Sequence, residues 1–170
     1  HGVGGDGDPD LDVDGVLTDG SIVLDNQGNE YKAFHVRDGH GIRMLQHAGV
    51  RVAIITGRYS AVVERRAREL DIRDVYQKCK NKRGAMEELA QKYSLSLSQV
   101  AYVGDDIVDA AVMRCAGLPI SVADAMEELR NSSAMVTERR GGKGAVREVC
   151  DMILKAKGLW DGILAEYFEV

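Results

Sequence analysis

No apolar run among the 170 residues approaches the ~20 that a membrane span requires. The opening His1-Gly-Val-Gly-Gly-Asp-Gly-Asp-Pro9 has neither the basic start nor the apolar stretch of a signal peptide. A cytoplasmic protein is therefore expected. Cysteine is scarce: Cys79, Cys115 and Cys150 are odd in number, far apart and without a Cys-x-x-Cys pair, which predicts reduced, mostly buried thiols. A basic excess is also lacking. The formal net charge is −5 with both signs interspersed, which argues against nucleic acid or an anionic membrane as the main partner. A small anionic substrate would then need a local basic patch. Aromatic residues make up only 5% of the chain, and Trp160, Tyr167 and Phe168 gather in its tail. There is no internal repeat, and the only biased segment is the Gly/Asp-rich start, read as a flexible lead-in over residues 1–9. What remains, at 45% hydrophobic residues, suffices for one domain with a real core over residues 10–170.

The densest signal is Asp12-Val-Asp14-Gly15, followed by Val16-Leu-Thr-Asp-Gly20. Strand residues i and i+2 point the same way, so two acids at this spacing can face one site. A close acid pair calls for a cation or a shared proton, and Mg²⁺ with oxygen ligands suits phosphate chemistry. Ile22-Val-Leu24 and Tyr31 to Val36 flank a Gly-containing turn at 25–29, which predicts a β-hairpin over about 21–36. Val50 to Ile55 is a nearly continuous β-branched run, as in a buried parallel strand, and it stops at Thr56-Gly57-Arg58. Ser60 is placed to cap the next helix. Val100 to Val103 stops in the same way at Gly104-Asp105-Asp106. Alternating strand and helix signals continue to a helix over 145–154, followed by a tail from about 158 to 170. The fold class expected is α/β: a three-layer, doubly wound, mostly parallel sheet, with ligands at the carboxyl ends of its strands. Three polar clusters timed to three strand ends would converge on one crevice.

Asp12-x-Asp14-Gly15, Ile54-Ile55-Thr56-Gly57, Lys82 in Asn81-Lys82, and Gly104-Asp105-Asp106-x-x-Asp109 stand in the order of the four motifs of the haloacid-dehalogenase-like phosphatases, which the chain resembles over most of its length. More narrowly, Phe34-His-Val-Arg37-Asp38-Gly39-x-Gly41, Thr56-Gly-Arg58 and Gly141-Gly-Lys143-Gly-Ala-Val-Arg-Glu148 resemble the family of 3-deoxy-D-manno-octulosonate (KDO) 8-phosphate phosphatases. No gap is long enough for a separate cap domain, so a capless member is expected. In that family four subunits pack around their β-hairpins and a neighbour helps close each site. A homotetramer acting on a small anionic sugar phosphate, with no nucleic acid or membrane partner, is thus implied.

The resemblance also implies roles. Asp12 would be the nucleophile and would take the phosphoryl group as an aspartyl phosphate. Asp14 would protonate the leaving alkoxide and then activate water. Mg²⁺ would be held by Asp12, the Asp14 carbonyl and Asp105. Thr56, the Gly57 amide and Lys82 would stabilise the phosphoryl oxygens. Lys80 competes with Lys82 for its role. Asp106 and Asp109 would orient water or pair with Lys82, although Asp109 also reads as a plain helix N-terminal carboxylate. Arg58 would meet the sugar carboxylate, and Arg66 corresponds to an arginine lent by the adjacent subunit. Arg37 and Lys143 are further basic candidates. His35, His40 and His47 show no metal-ligand spacing.

Other readings stay open on the sequence. A sialic-acid or KDN 9-phosphate phosphatase would share the site, but such relatives tend to carry an acid where Arg58 stands. A phospho-accepting receiver domain gathers similar residues in another order. A catalytically dead scaffold is the third possibility, since only Leu11 precedes Asp12 behind a Pro/Gly-rich stretch, which predicts a shortened first strand.

Overall fold

The computed structural model describes residues 8–11 and 13–169, and for 8–11, 13 and 14 it describes the backbone. Six parallel strands form one sheet in the order β5-β4-β1-β6-β7-β8. They are β1 (Asp8–Leu11), β4 (Ala53–Ile55), β5 (Asp74–Tyr76), β6 (Val100–Gly104), β7 (Leu118–Ser121) and β8 (Met135–Val136). Strand order reverses between β1 and β6, the position at which an open α/β sheet leaves a crevice outside its strand ends. β4 and β6 are buried along their whole length, as their continuous apolar runs require. The expected α/β architecture is the one observed.

β1 begins at Asp8, so Asp8 and Pro9, assigned from the sequence to the lead-in, belong to the sheet. Pro9 is tolerated because pairing with β4 starts only at Asp10, opposite Ala53, so on that side the ladder bonds from the residue after the proline. A short π-helical segment, Val13–Leu17, then carries the chain out of the strand.

The hairpin is smaller than expected. β2 (Val23–Leu24) and β3 (Glu30–Tyr31) pair antiparallel, and Val36 already opens a helix. Asp25 organises the turn, its carboxylate accepting from the Gln27 and Asn29 amides, each at 2.9 Å, and from the Tyr31 hydroxyl at 3.1 Å. These bonds, those to Asn29 foremost, hold its carboxyl below the usual range.

The helices are α1 (Val36–His47), α2 (Ala61–Glu69), α3 (Lys82–Lys92), α4 (Ala110–Cys115), α5 (Glu127–Ser132), α6 (Ala145–Ala156) and α7 (Trp160–Phe168). The β1-to-β4 and β6-to-β7 crossovers run in opposite directions, so right-handed connections place α1 and α4 on opposite faces of the sheet. α1 packs along α6, and α3 along α4. Ile42, Leu45, Ile54, Tyr102, Ile120, Ile153 and Leu154 are among the fully buried side chains between these layers. The tail is helical as α7. Tyr167 meets its own chain, its hydroxyl 2.9 Å from His40 Nε2, while Phe168 is 83% exposed.

Two glycines let α1 approach its neighbours. A Cβ on Gly41 would lie 3.0 Å from the Cys150 Cβ of α6, and one on Gly39 would lie 2.4 Å from an Arg66 nitrogen of α2. Each glycine costs a helix interior about 1 kcal/mol relative to alanine, and close packing offsets it here. Asp38, just before them and 1% exposed, accepts the Arg147 amide of α6 at 2.9 Å, so α1 caps α6. Its Oδ2 is buried and has no hydrogen-bond partner among the described residues.

Burial pushes the Asp38 carboxyl above its ordinary value, against the opposing pull of the α6 amides. The folded state therefore holds this proton more tightly than the unfolded chain. The stability so gained is fully present below about pH 4 and is lost as pH rises through the raised folded value. Asp38→Asn keeps an acceptor for Arg147 and cannot titrate. Urea unfolding at a series of pH values should show the stability of Asp38→Asn rising relative to the parent from about pH 4 toward neutrality. A constant difference would contradict this.

Candidate active site

The crevice forms where β1, β4 and β6 end. β4 delivers Thr56, 2% exposed, whose amide donates to the Tyr76 carbonyl at 2.8 Å and whose carbonyl accepts the Cys79 amide at 2.9 Å. These two bonds fix the Thr56 backbone against β5 and the loop into α3. Asn81 caps α3 through its side-chain oxygen on the Gly84 amide at 2.9 Å, which sets Lys82 at the first helical position. Lys82 is only 8% exposed, whereas Lys80 is exposed.

Lys82 Nζ donates to Asp109 Oδ1 at 2.8 Å. Asp109 is completely buried, and its carboxylate also accepts the Tyr102 hydroxyl at 2.8 Å and the amides of Asp105 and Asp106 at 3.1 and 3.3 Å. A buried carboxylate survives only when paired and fully hydrogen-bonded, and this one is held by a cation, a phenol and two amides. The loop after β6 is thereby wound around Asp109, and Asp106 caps its short helical turn at Ile107–Asp109 through a bond from the Ile107 amide at 2.7 Å. Of the two open roles for Asp109, pairing with Lys82 is the one observed.

Gly15 explains the glycine after the acid pair. Its φ is +88°, and a Cβ there would lie 1.7 Å from Asp105 Oδ2. Only glycine lets the Asp105 carboxylate rest on the backbone that follows Asp14. A second loop closes from the other side: Gly142 donates to the Val16 carbonyl at 2.8 Å, and a Cβ on Gly141 would fall 1.7 Å from the Gly15 carbonyl oxygen. Gly141 also donates to Asp124 at 2.9 Å. The Gly141-Gly142 pair is thus a clasp over the residues after Asp14.

Asp12 lies outside the described residues. Of Asp14 the backbone is described, in the π-helical segment. Asp105 therefore represents the expected metal set, and among the described residues no three His, Cys, Asp or Glu side chains form a metal cluster. Its half-buried carboxylate, pressed onto the Gly15 backbone, is a hard oxygen donor beside Asp14, which fits a hard divalent cation.

The remaining predicted residues divide. Gly57 has room for a side chain, its nearest neighbour being the Cys79 carbonyl at 3.8 Å, so its amide rather than its size would matter. Arg58 reaches the hairpin, donating to Glu30 at 3.0 Å. Arg66 stays on α2, with Glu69 at 3.4 Å and the Phe34 ring 5.7 Å from its guanidinium carbon. It makes no hydrogen bond or ion pair with the crevice among the described residues. Ser60 occupies the cap position of α2, but its buried hydroxyl makes no capping bond, contrary to expectation; the Ser60 amide instead donates to Gln77 Oε1 at 2.8 Å. His35 caps α1, its Nδ1 accepting the Arg37 amide at 3.2 Å. Tyr102 carries a weaker mark in the sequence, since a phenol inside the apolar run of β6 must find a polar partner and so signals one.

Residues 35–117 match the family model of the haloacid dehalogenase-like hydrolases. The chain is 50% identical over 151 residues to the 3-deoxy-D-manno-octulosonate 8-phosphate phosphatase KdsC of Escherichia coli K12, across 89% of this chain and 80% of that protein. The crystal structure of the corresponding Moraxella catarrhalis phosphatase, in complex with a magnesium ion, a phosphate ion and KDO, superposes with a TM-score of 0.91 at 45% identity, covering 94% of this chain and 91% of that one. The cobalt-bound Haemophilus influenzae phosphatase gives a TM-score of 0.88 at 41% identity, covering 91% of each chain.

Two substitutions test the geometry. Tyr102→Phe deletes one of the four bonds to Asp109 and should cost about 1–2 kcal/mol of unfolding free energy, with the crevice retained. Gly15→Ala should instead cut kcat/KM by at least about 100-fold, because its Cβ displaces the Asp105 carboxylate. Wild-type turnover by Gly15→Ala would contradict the close approach.

Proposed function

Because this chain belongs to the haloacid dehalogenase-like hydrolases and, within them, to the 3-deoxy-D-manno-octulosonate 8-phosphate phosphatases, we propose that it is a magnesium-dependent phosphomonoesterase that converts KDO 8-phosphate to KDO and phosphate in lipopolysaccharide precursor synthesis. The observation that carries the reading is the buried Lys82–Asp109 pair, which fixes a cation against the loop that carries Asp105, between β1 and β6, where strand order reverses.

Asp12 attacks phosphorus, the bond to the sugar oxygen breaks, and the phosphoryl group rests on the carboxylate as an aspartyl phosphate. Asp14 gives its proton to the departing alkoxide, then takes one from the water that hydrolyses the acyl phosphate. Lys82, with its position set by Asp109, and Thr56 with the Gly57 amide hold the phosphoryl oxygens as charge moves across them. Asp12, the Asp14 carbonyl and Asp105 would hold magnesium, which when bound offsets the repulsion between an anionic nucleophile and an anionic phosphate. Asp106 sets the loop that presents Asp105. Arg58 meets the sugar carboxylate, exchanging its bond to Glu30 for one to substrate.

The chain would act as a cytoplasmic homotetramer assembled through its hairpins. Supporting this, Ile22, Leu24 and Tyr31 are 61, 60 and 56% exposed, an apolar ridge of the kind that marks an interface. No helix among the described residues is long and apolar enough to cross a membrane. Arg66 would serve an adjacent subunit's site from its place on α2.

Phosphate release from KDO 8-phosphate tests the reading. Asp12→Asn and Asp14→Asn should each abolish turnover while sedimentation shows an unchanged assembly, and chelation of magnesium should reversibly silence the parent. Hydrolysis by Asp12→Asn at the parental rate would overturn the nucleophile assignment.

A further inference from the structure

Glu148 stands in the first turn of α6, where an acid ordinarily complements the helix dipole or reaches back to the amide of the cap residue in a capping box. Neither describes its bonds here. Its carboxylate passes over Gly144, the cap residue, and takes the backbone amides of Glu138 and Arg139, ten and nine residues earlier. The Glu138 amide lies 3.1 and 3.0 Å from its two oxygens, and the Arg139 amide donates to Oε1 at 3.0 Å. Bonds from amides to an ionised carboxylate are among the stronger hydrogen bonds. The helix end itself is served from elsewhere, since Asp38 takes the Arg147 amide.

These bonds join the two ends of the segment 138–144, whose tip is the Gly141-Gly142 clasp. Two further contacts tie the same base. The Arg139 carbonyl accepts the Thr137 hydroxyl at 2.6 Å, and the Arg139 Cδ lies 2.9 Å from where a Cβ on Gly144 would stand, so this side chain runs from one end of the segment to the other. A short loop with its ends held together carries its tip as a compact unit. That tip presses on main chain: besides the Gly142 bond to the Val16 carbonyl at 2.8 Å, a Cβ on Gly142 would fall 2.5 Å from the Asp19 nitrogen. The backbone so braced follows directly on Asp14 and includes Gly15, against which the Asp105 carboxylate rests. An unbroken series of backbone contacts thus leads from a carboxylate on α6 to the floor of the crevice.

We propose that Glu148 is a positioning residue of the phosphatase site, a latch that closes the base of the clasp and so holds the Asp14-Gly15 backbone and the Asp105 carboxylate in their catalytic relation. The inference rests on the function proposed above. It assigns Glu148 to the step in which phosphorus is transferred and not to the grip on the sugar, because Arg58 approaches from the opposite side, off the end of β4 and against the hairpin.

Two readouts on the full chain test the latch. In Glu148→Ala, native-state hydrogen exchange followed by NMR should release the Gly142 amide at least about 10-fold faster than in the parent, while the Tyr102 and Val103 amides of β6 keep their parental rates. Its kcat on KDO 8-phosphate at saturating magnesium should fall at least about 10-fold with KM within about 2-fold. Glu148→Gln, which retains one oxygen for the two amides, should fall between Glu148→Ala and the parent in both readouts, and it carries the test if Glu148→Ala folds poorly. Glu138→Ala removes the same charge from the same segment but none of these bonds, which Glu138 makes through its backbone, and should behave as the parent. Parental exchange at Gly142 in Glu148→Ala, a parental kcat in that variant, or an equal loss of kcat in Glu138→Ala would each overturn the proposal. The exchange arm uses no substrate, so it decides the latch even where the parent fails to hydrolyse KDO 8-phosphate, a result that would overturn the proposed function instead.

Discussion

A carboxylate with no access to water cannot be left partly satisfied, and the requirements of Asp109 organise this molecule's crevice. Its four bonds come from α3 (Lys82), from within β6 (Tyr102) and from the loop that follows β6 (the Asp105 and Asp106 amides). Removing the cation from such a group costs far more than the pair gains over an apolar replacement, so the arrangement serves geometry more than stability. What it secures is the position of Lys82 and the curl that turns Asp105 toward the end of β1.

Around that centre the backbone itself does much of the positioning. Gly15, Gly141 and Gly142 bring three stretches of main chain and one carboxylate to distances that any side chain would prevent. The clasp is anchored from behind, because α6, which the Gly141–Gly144 loop opens, is capped by Asp38 of α1. Sheet, clasp and helix pair thus act as one support for a site whose chemistry comes from a handful of oxygens and one ammonium. Rigid support of this kind is what in-line phosphoryl transfer asks of a protein, since alignment and charge placement supply most of the rate.

Much of this was legible in the chain. Thr56 and Asp105 announce themselves because apolar strand runs stop just before them, whereas Asp109 and the choice of Lys82 over Lys80 follow from the family pattern, with which the Asn81 cap and the exposure of Lys80 agree. The parallel sheet followed from the same runs. Other features depend on what the fold brings together and leave weaker local marks. Asp38 reads as an ordinary acid in a first helical turn, yet its carboxylate serves another helix more than 100 residues away. The hairpin is short because β3 ends at Tyr31 and His35 already caps α1, which Val36 opens. Pro9 entered a central strand because one of that strand's two ladders begins beyond it.

The central claim is that Lys82 and Asp109 act as a single unit. A double-mutant cycle with Lys82→Met and Asp109→Leu, followed by both unfolding free energy and kcat/KM, measures this directly. The account predicts a coupling of about 2–4 kcal/mol in stability, with the double variant more stable than Lys82→Met alone and all three variants about equally impaired in turnover. Effects that simply add, within about 0.5 kcal/mol, would contradict it.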